Sequence, residues 1–409
     1  RTSLKCRDTE GKQFIFTLGG CSTINERMSQ SRDLAVKLPD PPRDSYKELW
    51  EFIDDRLPKS EDPKRLVIAR SFCVSEWAGF IAALFKPFKI PVHVDNVNEY
   101  DLVRGQTQFN VDTCAPHIGA VGQSMRLAQA PHGMILVPQI EMLPTEGKSL
   151  GRTCTLNQGG VAVAHNLAKV AYPDARFHTF TLVLSELDEG VLCDQLYESL
   201  RPVFKHYGRV PLRQELEVAI AGAIAEHRKL KQDAADFAAD LIGEALAQDQ
   251  QVAVVVGREY ILTPGIYDSH IRRLLRDKRL VAIPSYVLEV ELDEEFDHIY
   301  WRNPHAILTI LNAIAHKSLH RRLKHPRLKA LFEQIENNAA GKLLPVVQIS
   351  TFTCGPDSVI SHLAAEIMKK RPFLLIQSDA IIKELAHLEN RVNTYVRQLE
   401  LGLHEKLWL

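Results

Sequence analysis

No apolar run in this sequence approaches the roughly 20 residues a membrane-crossing helix needs; "QVAVVVG" and "PHGMILVP" are among the longest, and both break off well short of that. There is no excess of either charge. Lys and Arg number 50 against 51 Asp and Glu, a net charge of −1, which speaks against a polyanion-binding surface and leads us to expect neither nucleic acid nor membrane as a partner. The opening "RTSLKCRDTEGKQF" has no apolar core of the kind an export signal carries, and a cytoplasmic protein is expected. Because the chain begins with Arg1, already inside what reads as strand and turn, it is expected to be a piece of a longer or processed polypeptide. Cysteine is scarce and odd in number: Cys6, Cys21, Cys73, Cys114, Cys154, Cys193 and Cys354 make seven, with no CxxC pair. That set does not build a disulfide framework, so metal ligation or buried thiols remain. "FTLGG" and "NQGGVAVAH" lack the spacing of a dinucleotide or P-loop fingerprint.

What is present is alternation. From "RLVIAR" onward, short runs rich in Val, Ile and Leu alternate with amphipathic stretches. This pattern predicts parallel sheets covered by helices on both faces. Strands are expected at 65–69, at "IPVHVD", at 133–138 and at 177–184. After the helical pattern of 188–248, further strands are expected at 251–257, 280–284, 343–350 and 372–377. The expected fold is α/β: two doubly wound Rossmann-like units with parallel sheets joined by a helical segment. The divisions are 1–64 (a strand and turn piece with a proline-rich connector), 65–187 (first unit), 188–249 (helical linker) and 250–409 (second unit with a C-terminal helix).

Three cysteines share a setting. Cys114 in "VDTCAPHIGAVGQ", Cys154 in "GRTCTLNQGG" and Cys354 in "STFTCGPDSVISH" each precede a Pro- or Gly-containing opening of a helix. In open α/β sheets the ligand crevice lies beyond the carboxyl ends of the strands. A helix N-terminus there is expected to favour thiolate, the metal-binding form. Spacing alone favours three unrelated buried or loop cysteines; their recurring position at strand–helix junctions argues for a shared site. Cys73 in "ARSFCVSEW" follows a strand and reads as packing or as part of the site, whereas Cys193 in "EGVLCDQLYESL" reads as packing on a helix face. Cys6 and Cys21 read either as half of a metal knuckle or as two surface thiols. "HKSLHRRLKHPRLK" reads as a solvated helical face or a docking patch for an acidic electron carrier.

"TCGPDSVISHLAAEI", followed by "RPFLLIQSD" and "LENRVNTYVRQLE", resembles the end of the 2-hydroxyacyl-CoA dehydratase superfamily. "VVVGREYILTPGIYDSHI", "ARSFCVSEWAGFIAALFKPFKIPVHV" and "VDTCAPHIGAVGQ" are similar to three more of its motifs, in order, over about residues 65–400. The branch it looks most like is the C-terminal region of long acyl-CoA dehydratase activase-related proteins. "LKCRDTEGKQFIFTLGGCSTINERM" resembles a further piece of that branch.

The resemblance implies an iron–sulfur cluster, [4Fe–4S] in type, held by Cys114, Cys154 and Cys354, with Gly355 and Pro356 beside it. It also implies low-potential electrons, drawn from ferredoxin or flavodoxin and delivered by an ATP-dependent activator fused upstream or separate. The substrate would be of acyl-CoA type, and the chemistry that of a lyase or an ATP-coupled reductase component. The alternatives are a non-catalytic electron relay or regulatory domain, or a double-cubane-type reductase of small molecules. The sequence departs from the family at "HIGAVGQ", "GREYI" and "QSDAI", each of which has lost a histidine. His117 and His362 remain as proton donors or as structural histidines.

Overall fold

The computed structural model describes residues 2–7, 13–18, 42–109, 112–145, 150–268, 270–337, 343–378 and 386–401. Strands β1 (Thr2–Arg7) and β2 (Gln13–Leu18) form an antiparallel pair in which Cys6 lies opposite Phe14. Cys21 lies outside the described residues.

Two four-stranded sheets follow, both wholly parallel. The first contains β3 (Leu66–Arg70), β4 (Val92–Asn96), β5 (Met134–Met142) and β6 (Phe177–Val183), in the order β4-β3-β5-β6. The second contains β7 (Gln251–Val256), β8 (Leu280–Pro284), β9 (Val346–Thr351) and β10 (Phe373–Ser378), in the order β10-β9-β7-β8. Numbered within each unit, both orders are the same: second, first, third, fourth. The architecture is the expected α/β pair of Rossmann-like units. β3, "LVIAR", and β9, "VVQIST", are buried at every position, as parallel strands covered on both faces must be.

Helices α1 (Ser45–Asp54), α2 (Val74–Ala83), α3 (Glu99–Gln106), α4 (Ala115–Gln129) and α5 (Val161–Ala171) precede the helical segment. That segment holds α6 (Glu189–Ser199), α7 (Arg201–His206) and α8 (Arg213–Ala247). The second unit adds α9 (Ile271–Asp277), α10 (Arg302–Ala315), α11 (Leu319–Arg322), α12 (Pro326–Glu336), α13 (Gly355–Ile367) and α14 (Ala386–Leu401). Helix α8, 35 residues and so about 50 Å long, is more than a connector. Its first half buries Leu216, Ile220 and Ile224 in the core of the first unit, and its second half buries Ala238, Leu241 and Ile242 in that of the second. α1 likewise packs on the second unit: Leu49 is fully buried in its core and the Ser45 hydroxyl donates to the Ala282 carbonyl at 2.9 Å.

One helix, α3, was not expected from the sequence. Its start is a capping box in which Asn98 accepts from the Asp101 N–H (3.1 Å) and Asp101 accepts from the Asn98 N–H (3.0 Å). α3 then lies backbone to backbone on α4: a Cβ on Gly105 would stand 1.9 Å from the Ile118 carbonyl, and one on Gly122 1.8 Å from that of Asp101. Among the described residues no helix is long and apolar enough to cross a membrane.

Candidate functional site

The order of each sheet places its crossover between the first and third strands, β3 and β5 in one unit, β7 and β9 in the other. Ligand crevices of open α/β sheets lie beyond the carboxyl ends of such strands. Here those four ends lead to Cys73 (after β3), Cys154 (after β5), Arg258 (after β7) and Cys354 (after β9). Cys114 joins them from the amino end of α4. Arg258 is within electrostatic reach of Cys73, Cys114, Cys154 and Cys354. The two units therefore present their carboxyl edges to one shared site. Sequence spacing, which leaves the cysteines tens to hundreds of residues apart, cannot show this.

Each thiol is fixed by the turn that carries it. Cys114 is the residue before α4, whose first position is Ala115 and second Pro116. Cys154 Sγ accepts the N–H of Asn157 at 3.3 Å, inside a single wide turn of π type that opens α5. Such turns recur at functional sites. Cys354 caps α13, accepting the Asp357 N–H at 3.4 Å. The thiol is thus presented at a helix start, where unpaired N–H groups favour an anion.

Burial nonetheless prevails over the helix ends. It pushes the Cys114 thiol up to about 11 and the Cys354 thiol up to about 12, and it raises Cys73 as well. The expectation that the helix starts would favour thiolate is corrected for Cys114 and Cys354: burial favours the protonated thiol, and a metal must displace the proton.

The site's charge is set by Arg258, which is 4% exposed. It donates to Asp357 Oδ2 at 2.8 Å and to the Tyr260 hydroxyl at 2.9 Å. Asp357 also accepts the Ser350 hydroxyl at 2.7 Å. Burial disfavours the guanidinium charge, but Asp357, Tyr260 and the thiols outweigh it and hold its pKa above the usual value. Arg258 Nε is buried with no hydrogen-bond partner. A buried cationic donor without an acceptor is costly, and a bound anion would satisfy it.

Among the described residues no three His, Cys, Asp or Glu side chains converge as ligands of one metal ion. Thiolates that bind different irons of a cluster stand farther apart than ligands sharing one ion. Soft donors, helix starts and an orphaned cationic N–H together fit an anionic iron–sulfur group.

The remaining expected residues are placed unevenly. His117 lies one turn into α4, its Nδ1 3.1 Å from the Thr113 hydroxyl, its ring packed on Phe109 and facing Phe72. Burial lowers its pKa, against an opposing contribution from the Gly160 backbone. His362 is exposed on α13. Gly355 is also exposed, and a Cβ there would meet nothing within 4 Å; Pro356 is half-buried beside it. Cys193 is fully buried on α6. The basic stretch 316–329 is largely engaged within the chain. His320 pairs with Glu336, Arg322 with Asp293 (2.9 Å), Lys324 with Glu289 (3.1 Å), and Arg327 with Asp236 (3.1 Å) and Asp240 (2.5 Å).

Reading the residues alone missed Arg258, Tyr260 and Asn157. "GREYI" held two of them but carried no chemical signal without knowledge of the strand beside it. Behind Cys73 and Arg258 lies an ion network across the units: Arg70 to Asp54 (2.8 Å) and Glu259 (3.9 Å), and Lys231 to Glu76 (2.7 Å) and Glu259 (3.8 Å). Burial pushes Glu259 up to about 7.

No curated protein matches the chain. Among solved structures, the C-terminal domain of glucosamine-fructose-6-phosphate aminotransferase from Francisella tularensis is 12% identical, covering 88% of this chain and 92% of that one, with a TM-score of 0.20. A protein described as sugar binding, from Salmonella typhimurium LT2, is also 12% identical, covering 91% and 95%, with a TM-score of 0.18. At such TM-scores neither likeness carries an argument. A family model does match: the CoA enzyme activase uncharacterised domain (DUF2229), over residues 65–287, more than half of the chain. The chain therefore belongs to this CoA enzyme activase-related family, consistent with an activase-related region of the 2-hydroxyacyl-CoA dehydratase superfamily.

Proposed function

We propose that this chain is the iron–sulfur domain of an activase-related protein. It would accept a low-potential electron from an ATP-dependent activator, itself supplied by a carrier such as ferredoxin or flavodoxin, for reductive chemistry on an acyl-CoA-type substrate. The observation that carries the reading is the gathering of Cys114, Cys154 and Cys354 around a buried Arg258 whose Nε has no partner. A bound [4Fe–4S] cluster supplies a one-electron carrier whose potential the protein sets through charge, hydrogen bonds and solvent access.

The chain's own residues supply those settings. Cys114, Cys154 and Cys354 would hold the group, giving up their protons to do so. The N–H groups of Asn157 and Asp357, already directed at Cys154 and Cys354 sulfur, would hydrogen-bond the ligating sulfurs and raise the potential. Arg258, braced by Asp357, would offset the negative charge that arrives with the electron. The near-complete burial of Cys114 and Cys354 excludes water.

The second reading, a relay that has kept the cluster and lost acyl-CoA chemistry, is favoured by the poverty of proton donors: His362 is exposed to solvent, and the His117 ring is closed in by Phe109, Phe72 and Gly160. The test is anaerobic mixing of reconstituted protein with reduced ferredoxin and an ATP-dependent activator of the acyl-CoA dehydratase type, followed by EPR. We expect a reduced-cluster signal that requires both activator and ATP. Reduction that is indifferent to them, or none with them, overturns the proposal.

A further inference from the structure

Cys73 has no part in the reading above, yet the structure does not treat it as a gap-filling thiol. Its N–H donates to Asn157 Oδ1 at 3.0 Å, while the N–H of Asn157 donates to Cys154 Sγ at 3.3 Å, so one asparagine ties both turns together. The residue before it, Phe72, has a φ of 48°, and the residue before Cys354, Thr353, has a φ of 63°. In both turns a non-glycine residue in the left-handed region is followed at once by a cysteine at a helix start. Such conformations cost on the order of 1–3 kcal/mol and cluster at functional sites.

Cys73 is 3% exposed and within electrostatic reach of Cys154 and Arg258. From the second unit, Asn303 Nδ2 approaches its sulfur to 3.9 Å. Arg258, held by Asp357 and Tyr260 through its terminal nitrogens, has its Nε buried without a partner, a donor that a bound anion among these thiols would satisfy.

We infer that Cys73 is the fourth thiolate of the cluster, an inference that rests on the cluster reading proposed above. The Cys73 thiol loses its proton to solvent, and its sulfur takes the iron position that three ligands would leave to water or substrate. All four irons then have protein ligands, and substrate cannot bind at iron. The site is thereby specified as an electron-transfer centre rather than a dehydration centre.

The test uses the full chain reconstituted anaerobically with ⁵⁷Fe, read by Mössbauer and EPR spectroscopy with and without added cyanide as exogenous ligand. The wild type should show no iron that responds to cyanide, and mild oxidation should leave the cluster intact. Cys73→Ala should expose about one iron in four to cyanide and lose it on mild oxidation, leaving a three-iron signal. Cys73→Ser, closer in shape, covers the case in which alanine impairs folding, and Cys193→Ala is the buried-thiol control. A wild-type cluster that already binds cyanide at one iron, or a Cys73 variant spectroscopically identical to wild type, overturns the inference and leaves the cluster reading standing. A wild type that binds no iron overturns both.

Discussion

Asn157→Ala tests whether the two cysteine turns of the first unit are held by one side chain. Asn157 is 1% exposed. Its amide donates to the Ile140 carbonyl and, at 3.0 Å, to the Thr153 hydroxyl, while its oxygen accepts the Cys73 N–H at 3.0 Å. Alanine removes all three bonds, but the losses are unequal. The Ile140 carbonyl keeps the Thr153 hydroxyl at 2.6 Å, whereas the Cys73 N–H is left buried and unpaired. One such orphan costs about 1–3 kcal/mol, and the small cavity adds roughly 1 kcal/mol. Urea unfolding should therefore show a loss of about 2–4 kcal/mol. Thr153→Val unpairs one Asn157 amide hydrogen but keeps the bonds of that side chain to the Ile140 carbonyl and the Cys73 N–H, and it should lose less, about 1–2 kcal/mol. In the native state, the Cys73 turn should open more often, and thiol-reagent modification of Cys73 should accelerate roughly ten- to a hundredfold. A variant within about 0.5 kcal/mol of wild type, with Cys73 no more reactive, would refute the clamp.

Arg258→Met should cost about 3–5 kcal/mol in urea unfolding, because it strands the buried Asp357 carboxylate; Arg258→Met combined with Asp357→Leu should recover most of that, and a double variant as unstable as the single one would count against a buried pair. Gly122→Ala should cost about 3 kcal/mol or more, since its Cβ would stand 1.8 Å from the Asp101 carbonyl; a melting temperature equal to wild type would show that α3 and α4 are not in backbone contact. Glu259 is held protonated up to about 7 by burial. An acid whose folded pKa lies above its unfolded value contributes stability that is fully present below the unfolded pKa, near 4.5, and lost as pH rises through the folded one. The stability of Glu259→Gln relative to wild type should therefore rise between pH 5 and pH 8, and a pH-independent difference would contradict the shift. His227, stacked on Trp77 at 4.0 Å and lowered by burial to about 3, has the opposite sign: its contribution is present above pH 6.5 and falls away on acidification. The acid slope of unfolding stability should flatten in His227→Phe.

The sheets were legible because parallel strands buried on both faces write themselves as apolar runs. "QVAVVVG" and "LVAIP" need no context to be read as β7 and β8. α3 was legible in principle, through Asn98 and Asp101 three residues later, but its few apolar residues give it no helical periodicity to read. The setting of Cys114, Cys154 and Cys354 could be read locally, since each stands before a helix opening. Their convergence could not, because it follows from two sheets facing each other through their carboxyl edges. Arg258 was hidden for the same reason. An arginine after an apolar strand is commonplace, and its meaning comes from Asp357, 99 residues away, and from thiols on the other unit. The thiol pKa direction was misjudged from sequence because helix ends are visible there and depth of burial is not.

The most direct measurement is iron and acid-labile sulfide in the anaerobically reconstituted chain, with EPR of the reduced protein, for wild type and for Cys114→Ala, Cys154→Ala and Cys354→Ala. The account predicts about four iron per chain in wild type, lost or destabilised in each variant and retained in Cys193→Ala. Wild-type protein that remains iron-free after reconstitution would contradict it, and the gathered thiols would then be packing alone.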